Sequence, residues 1–148
     1  MKLVEFISPD SIFTEVDVDS KKNLFKKVSS IFSKKNLKES AIITDRLNER
    51  ERLGSTGIGE GVAIPHTKVD SIEKTKVIFL KLKSGIDFSA SDKKDVDIVF
   101  VILAPEECQS EHLLVLSSIS SFLRDKSIIA KLRSLKKSSD IHDFFSKF

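Results

Sequence analysis

The run Val96-Asp-Ile-Val-Phe-Val-Ile-Leu103 restricts the fold more than any other stretch of the chain. It is rich in β-branched residues, of strand length and apolar on both faces, so each face needs cover from elsewhere in the chain. Such a strand belongs in the middle of a sheet. Val77-Ile-Phe-Leu-Lys-Leu82 is a second strand-length run, and Ile12 to Val18, around Phe13, reads as a shorter strand ended by Asp19-Ser20. Between the two long runs, Ser84-Gly85 and Ser91-Asp92 carry the composition of turns.

Helices supply the cover. From Lys21, with Ser20 as N-cap, Leu24, Phe25, Val28, Ile31 and Phe32 recur at spacings of three and four. A second helix is expected from near Ser40 to about Leu53, with Ile43 and Leu47 inward and Gly54 as its stop. Seven positions after Ile43, Arg50 returns to the inward stripe while Arg52 points away, so Arg50 needs an anionic or carbonyl partner. After a loop over 104–109, Ser110 is expected to cap a helix bearing Leu116, Ile119 and Leu123, with His112 in its first turn. Shorter helices follow around Ser127 to Leu135 and Ser139 to Phe145. Strands interleaved with helices on both faces of a sheet define an α/β layered fold.

The 148 residues are expected to form one domain, 1–148, large enough to bury a core unaided. With 40% hydrophobic and 32% charged residues, the composition is that of an ordered globular chain. The net charge of +3 comes from interspersed acids and bases, lysine-rich and without arginine clusters or aromatic platforms, which argues against a nucleic-acid partner. Acids rather than an apolar core follow Met1 to Phe6, and no run is long enough to cross a bilayer, so a cytoplasmic protein without membrane insertion is expected. The lone Cys108 cannot pair within the chain and is expected to be incidental.

Two of the three histidines stand where chemistry is feasible: His66 after the strand-like Val62-Ala-Ile-Pro65, and His112 near a helix start. His142 reads as a surface residue. Neutral imidazole keeps a free lone pair at neutral pH and is a competent nucleophile when its other N–H is held. Pro65 stiffens the approach to His66, Gly54-Ser-Thr-Gly-Ile-Gly-Glu-Gly61 offers unobstructed backbone N–H groups, and Arg50 offers a charge for phosphoryl oxygens. The glycine run fits neither the dinucleotide nor the Walker pattern, and its plain reading is a set of tight turns. Ser55 and Thr56 lack the setting of a hydroxyl nucleophile and suit turn capping or phosphate hydrogen bonding. No histidine spacing suits zinc.

Taken whole, Arg50-Glu-Arg-Leu-Gly-Ser-Thr-Gly-Ile-Gly-Glu-Gly-Val-Ala-Ile-Pro-His66 resembles the active-site signature of the fructose/mannitol/nitrogen-type enzyme IIA of the sugar phosphotransferase system. Gly85-Ile-Asp-Phe88, Val96 to Phe100 leading to Ala104-Pro105, and Glu111-His112-Leu113 extend the resemblance along nearly the whole chain. It implies a mixed sheet of about five strands between helices, in keeping with the layering read above. It also implies that His66 is phosphorylated, that His112 lies beside it and stabilises the phosphoryl group, that Arg50 meets that group, and that Ser55 and Thr56 line the pocket. Thr67 departs from the glycine that often follows the histidine in this family.

The donor implied is phospho-HPr or its nitrogen-branch counterpart, with no metal, nucleotide or other cofactor. The onward partner is a IIB permease domain or a regulatory target. The Gly-Ser-Thr-Gly-Ile-Gly run and the lack of an appended IIB, IIC or HPr domain tilt the reading to a nitrogen-type regulator over a sugar IIA transport subunit. A non-catalytic interaction module on the same fold is the reading of another class, disfavoured by His66, His112 and Arg50 standing together. A hydrolase ranks last, since no acid/base dyad can be placed.

Overall fold

The computed structural model describes residues 2–107 and 109–148; the reading of Cys108 falls outside them. Six strands form one mixed sheet: β1 (Ile12–Val16), β2 (Gly57–Gly59), β3 (Val62–Ala63), β4 (His66–Lys68), β5 (Lys76–Ile86) and β6 (Val96–Ala104). The order is β1-β5-β6-β3-β2, with β4 also on β6. β6 is central as expected, antiparallel to β5 on one side and parallel to β3 and β4 on the other. Its side chains alternate between two cores, Val99, Val101 and Leu103 facing one and Ile98, Phe100 and Ile102 the other. That double burial is why the run is apolar without alternation.

Helices α1 (Lys21–Phe32) and α2 (Leu37–Arg52) cover the first face through Leu24, Phe25, Val28, Ile43 and Leu47. Helices α3 (Gln109–Phe122), α4 (Lys126–Ser134) and α5 (Ser138–Phe145) cover the second through Val115, Ile119, Ile129, Leu132, Ile141 and Phe145. Among the described residues no helix is long and apolar enough to cross a membrane.

Ser20 caps α1 as expected, its Oγ accepting from the Asn23 N–H at 3.1 Å. α2 begins three residues earlier than expected, because Asn36 takes the cap and accepts from the Glu39 N–H at 3.1 Å. Ser110 lies inside α3 rather than capping it. Ser84 and Gly85 lie inside β5 and not in a turn. The pairing of β5 with β6 shifts register between Lys81 and Ile86, and a Cβ on Gly85 would sit 2.9 Å from the Asp95 Cβ, so glycine serves a close strand approach.

The stretch expected as a loop followed by a strand exit holds three short strands. β2, in the glycine run, forms a hairpin with β3, which follows it, and His66 opens β4 instead of following a finished strand. Pro65 interrupts what would otherwise be one strand along β6, since it has no N–H to give; its carbonyl still accepts from the Ile102 N–H at 2.9 Å, which keeps the ladder in register.

Candidate active site

Three segments converge on His66. The end of α2 brings Arg50, the break at Pro65 turns the chain into β4, and the first turn of α3 brings His112. The two imidazole rings are 5.4 Å apart between centroids and inclined at 53°.

The Ile64 carbonyl lies 2.7 Å from His66 Nδ1. A carbonyl can only accept, so this nitrogen carries the proton and Nε2 is left with the lone pair. The Arg50 Nε–H points at that lone pair from 3.3 Å, and the Arg50 Nη1 donates to the Gly54 carbonyl at 2.8 Å. The carbonyl partner required by the inward position of Arg50 is thus Gly54, one turn on. Burial holds the His66 pKa below its ordinary value; the Ile64 hydrogen bond opposes this and the Arg50 charge reinforces it. His66 is therefore a neutral, half-buried base with one defined tautomer.

His112 is 5% exposed, and its Nδ1 is buried with no hydrogen-bond partner among the described residues. A buried N–H left unpaired is the costlier arrangement, so the neutral ring carries its proton on Nε2. Burial first, then the charge His66 carries when protonated and that of Lys68, pushes its pKa down to about 4.

Ser55 and Thr56 direct their hydroxyl protons into the protein. The Ser55 Oγ–H donates to the Phe88 carbonyl and the Thr56 Oγ1–H to Glu51 Oε2, the latter at 2.7 Å. Their sequence neighbours thereby gain a rigid loop; the Ser55 Oγ also accepts from the Gly57 N–H at 3.1 Å. The residue-level reading above gave no role to Glu51, whose side chain is only 7% exposed and ion-paired to Lys21 at 3.1 Å. The signal was present, because Glu51 falls four residues after Leu47 and eight after Ile43 on the inward stripe.

A groove of about 510 Å³ runs along α2 and is lined by Ile42, Asp45, Arg46, Glu49, Val69, Asp70 and Ser71. None of the five candidate residues lines it. No group of three or more His, Cys, Asp or Glu that could hold a metal occurs among the described residues. What the arrangement can do is accept an electrophilic, anionic group on a neutral imidazole edge beside a guanidinium.

The sequence matches the family described as phosphoenolpyruvate-dependent sugar phosphotransferase system, EIIA 2, over residues 5–148. A nitrogen regulatory protein of Bradyrhizobium diazoefficiens is 34% identical over 142 residues, 96% of this chain and 93% of that protein. Among solved structures, the nitrogen regulatory protein IIA-Ntr of Neisseria meningitidis superposes with a TM-score of 0.88 at 32% identity, over 95% of this chain and 97% of that one. The mannitol enzyme IIA of Escherichia coli, in its complex with phosphorylated enzyme IIB, shares the fold with a TM-score of 0.77 at 22% identity, over 94% and 96% of the two chains.

Proposed function

This chain belongs to the EIIA 2 family of the phosphoenolpyruvate-dependent sugar phosphotransferase system, and on that premise we propose that it is a nitrogen-type regulator that carries its phosphoryl group on His66 Nε2. The observation that carries the assignment is the 2.7 Å contact between His66 Nδ1 and the Ile64 carbonyl, which leaves Nε2 unprotonated and beside Arg50.

The donor is phospho-HPr or its nitrogen-branch counterpart. His66 Nε2 attacks phosphorus in line; the new N–P bond forms as the donor's N–P bond breaks, and the donor imidazole leaves with that electron pair. Arg50 and the His112 Nε2–H meet the equatorial oxygens, and their positions are set before the donor arrives. Ser55 and Thr56 serve the phosphoryl group through the loop they rigidify, since both hydroxyl protons and the Thr56 N–H are committed within the protein. No cofactor takes part, and no small substrate is turned over independently. Residues 1–148 form one domain, and it works in the cytoplasm.

Similarity to nitrogen regulatory proteins along nearly their whole length supports the regulatory reading, in which target proteins distinguish the phosphorylated from the free form. The fold shared with an enzyme IIA that assembles with phosphorylated IIB favours the second reading, a transport subunit handing the group to a IIB partner. Incubation with phosphoenolpyruvate, enzyme I and either HPr or its nitrogen-branch counterpart, followed by intact mass, tests both. An acid-labile adduct of one phosphoryl group is expected on the wild type and not on His66→Ala, formed faster from the nitrogen-branch donor. Preference for HPr together with transfer to IIB would assign the transport role, and no adduct from either donor would leave a non-catalytic binding module.

A further inference from the structure

We propose that Glu51 is a positioning residue that sets the tautomer of His66 through the backbone of two residues, Thr56 and Ile64, which matters for phosphoryl acceptance if His66 is the acceptor as proposed above.

Both carboxylate oxygens are committed. Oε1 accepts from the Thr56 N–H at 3.0 Å and from the Lys21 ammonium at 3.1 Å, and Oε2 accepts from the Thr56 hydroxyl at 2.7 Å. Thr56 is therefore gripped at its backbone and its side chain by one group, and the residue is 5% exposed. The Thr56 carbonyl in turn accepts from the Ile64 N–H at 3.0 Å. The Ile64 carbonyl, across the same residue, is the acceptor for the His66 Nδ1–H at 2.7 Å. Carboxylate, Thr56 backbone, Ile64 backbone and imidazole thus form one file, in which each link fixes the orientation of the next.

The chain geometry makes this file necessary. Pro65 denies the backbone an N–H at the break between β3 and β4, so Ile64 is tied to the sheet hairpin by its own N–H to Thr56. Were Thr56 free to shift, the Ile64 carbonyl would rotate, and the proton of His66 could move to Nε2, the nitrogen that must be bare to attack. Lys21 completes the arrangement by neutralising Glu51, so that a buried carboxylate can stand near the nucleophile without opposing an incoming anion. It is itself pinned by the Phe88 carbonyl at 3.1 Å and lies 5.0 Å from the centre of the Phe88 ring.

Two-bond proton–nitrogen NMR of the unphosphorylated, full-length protein reads the tautomer directly. In the wild type His66 should show Nδ1 protonated and Nε2 bare. Glu51→Ala should give a mixture of both tautomers while the signals of His142, on α5, stay in place, and phosphoryl uptake should slow by on the order of tenfold to a hundredfold. Glu51→Gln still accepts from the Thr56 N–H and can pair with its hydroxyl, so it should keep the wild-type tautomer and most of the rate. If Glu51→Ala does not fold, Thr56→Val decides, because it removes only the hydroxyl link and should produce a smaller shift of the same sign. A wild-type tautomer in folded Glu51→Ala, or in Thr56→Val in its place, overturns the proposal while leaving phosphoryl acceptance untouched. A shifted tautomer in a protein that takes up no phosphoryl group upholds the positioning and sinks the carrier role instead.

Discussion

A histidine kept neutral by its surroundings makes folding sensitive to acid, and the sign follows from the direction of the shift. His112 has a folded-state pKa of about 4 against an ordinary 6.5, so below 6.5 the unfolded chain takes up a proton that the folded chain refuses. Its contribution to stability is complete above pH 6.5 and is lost as pH falls towards 4, at about 2 kcal/mol by pH 5. Urea unfolding at pH 7 and pH 5 should show that loss in the wild type and less of it, by about this amount, in His112→Asn. At this scale the site was half legible. Arg50 could be placed because helical period alone puts it on the inward stripe, and the same period put Glu51 there too. What sequence could not reveal was Lys21 as the partner of Glu51, which tertiary folding brings from 30 residues away, nor that the Ser55 hydroxyl turns inward to the Phe88 carbonyl from 33 residues on; the partners Gly54 of Arg50 and Thr56 of Glu51 are local but depend on how the chain turns after α2.

Among the elements, the β2–β3 hairpin turns through three residues with positive φ, Gly59, Glu60 and Gly61. Gly61 has φ +77°, and a Cβ there would collide with the Arg133 guanidinium, which reaches from α4 to the Glu60 carbonyl and to Asp97 Oδ1, the latter at 2.9 Å. Gly61→Ala should therefore destabilise the protein by about 1–3 kcal/mol, seen as a lower urea midpoint with unchanged slope. Element type was read correctly for the long segments, where apolar spacing extends over several turns or a whole strand. It failed where a single residue had two meanings. Gly85 resembles a turn former but permits two strands to approach; Ser110 resembles a cap but lies a residue inside α3; and β4 was invisible because three half-buried residues, His66, Thr67 and Lys68, carry no apolar alternation. Their strand geometry comes from pairing with Ile102, Leu103 and Ala104 of β6, a tertiary cause.

For the molecule as a whole, the sheet divides the interior into two cores that share β6. Phe100 belongs to the second and is fully buried against Phe79 and Phe145, with ring centroids at 5.0 and 5.9 Å. Phe100→Ala should cost about 3–5 kcal/mol, and helical signal and phosphoryl acceptance should disappear over the same range of urea, since the site draws on both layers. A loss of acceptance well before the helical signal would show that the layers separate independently. Arg50 rides on the helix of one layer and His112 on that of the other, with His66 on the sheet between them. A nascent or damaged chain with one layer packed and the other open would carry the histidine yet lack a companion on one side. It would accept a phosphoryl group poorly, so acceptance reports a chain whose two layers are both packed.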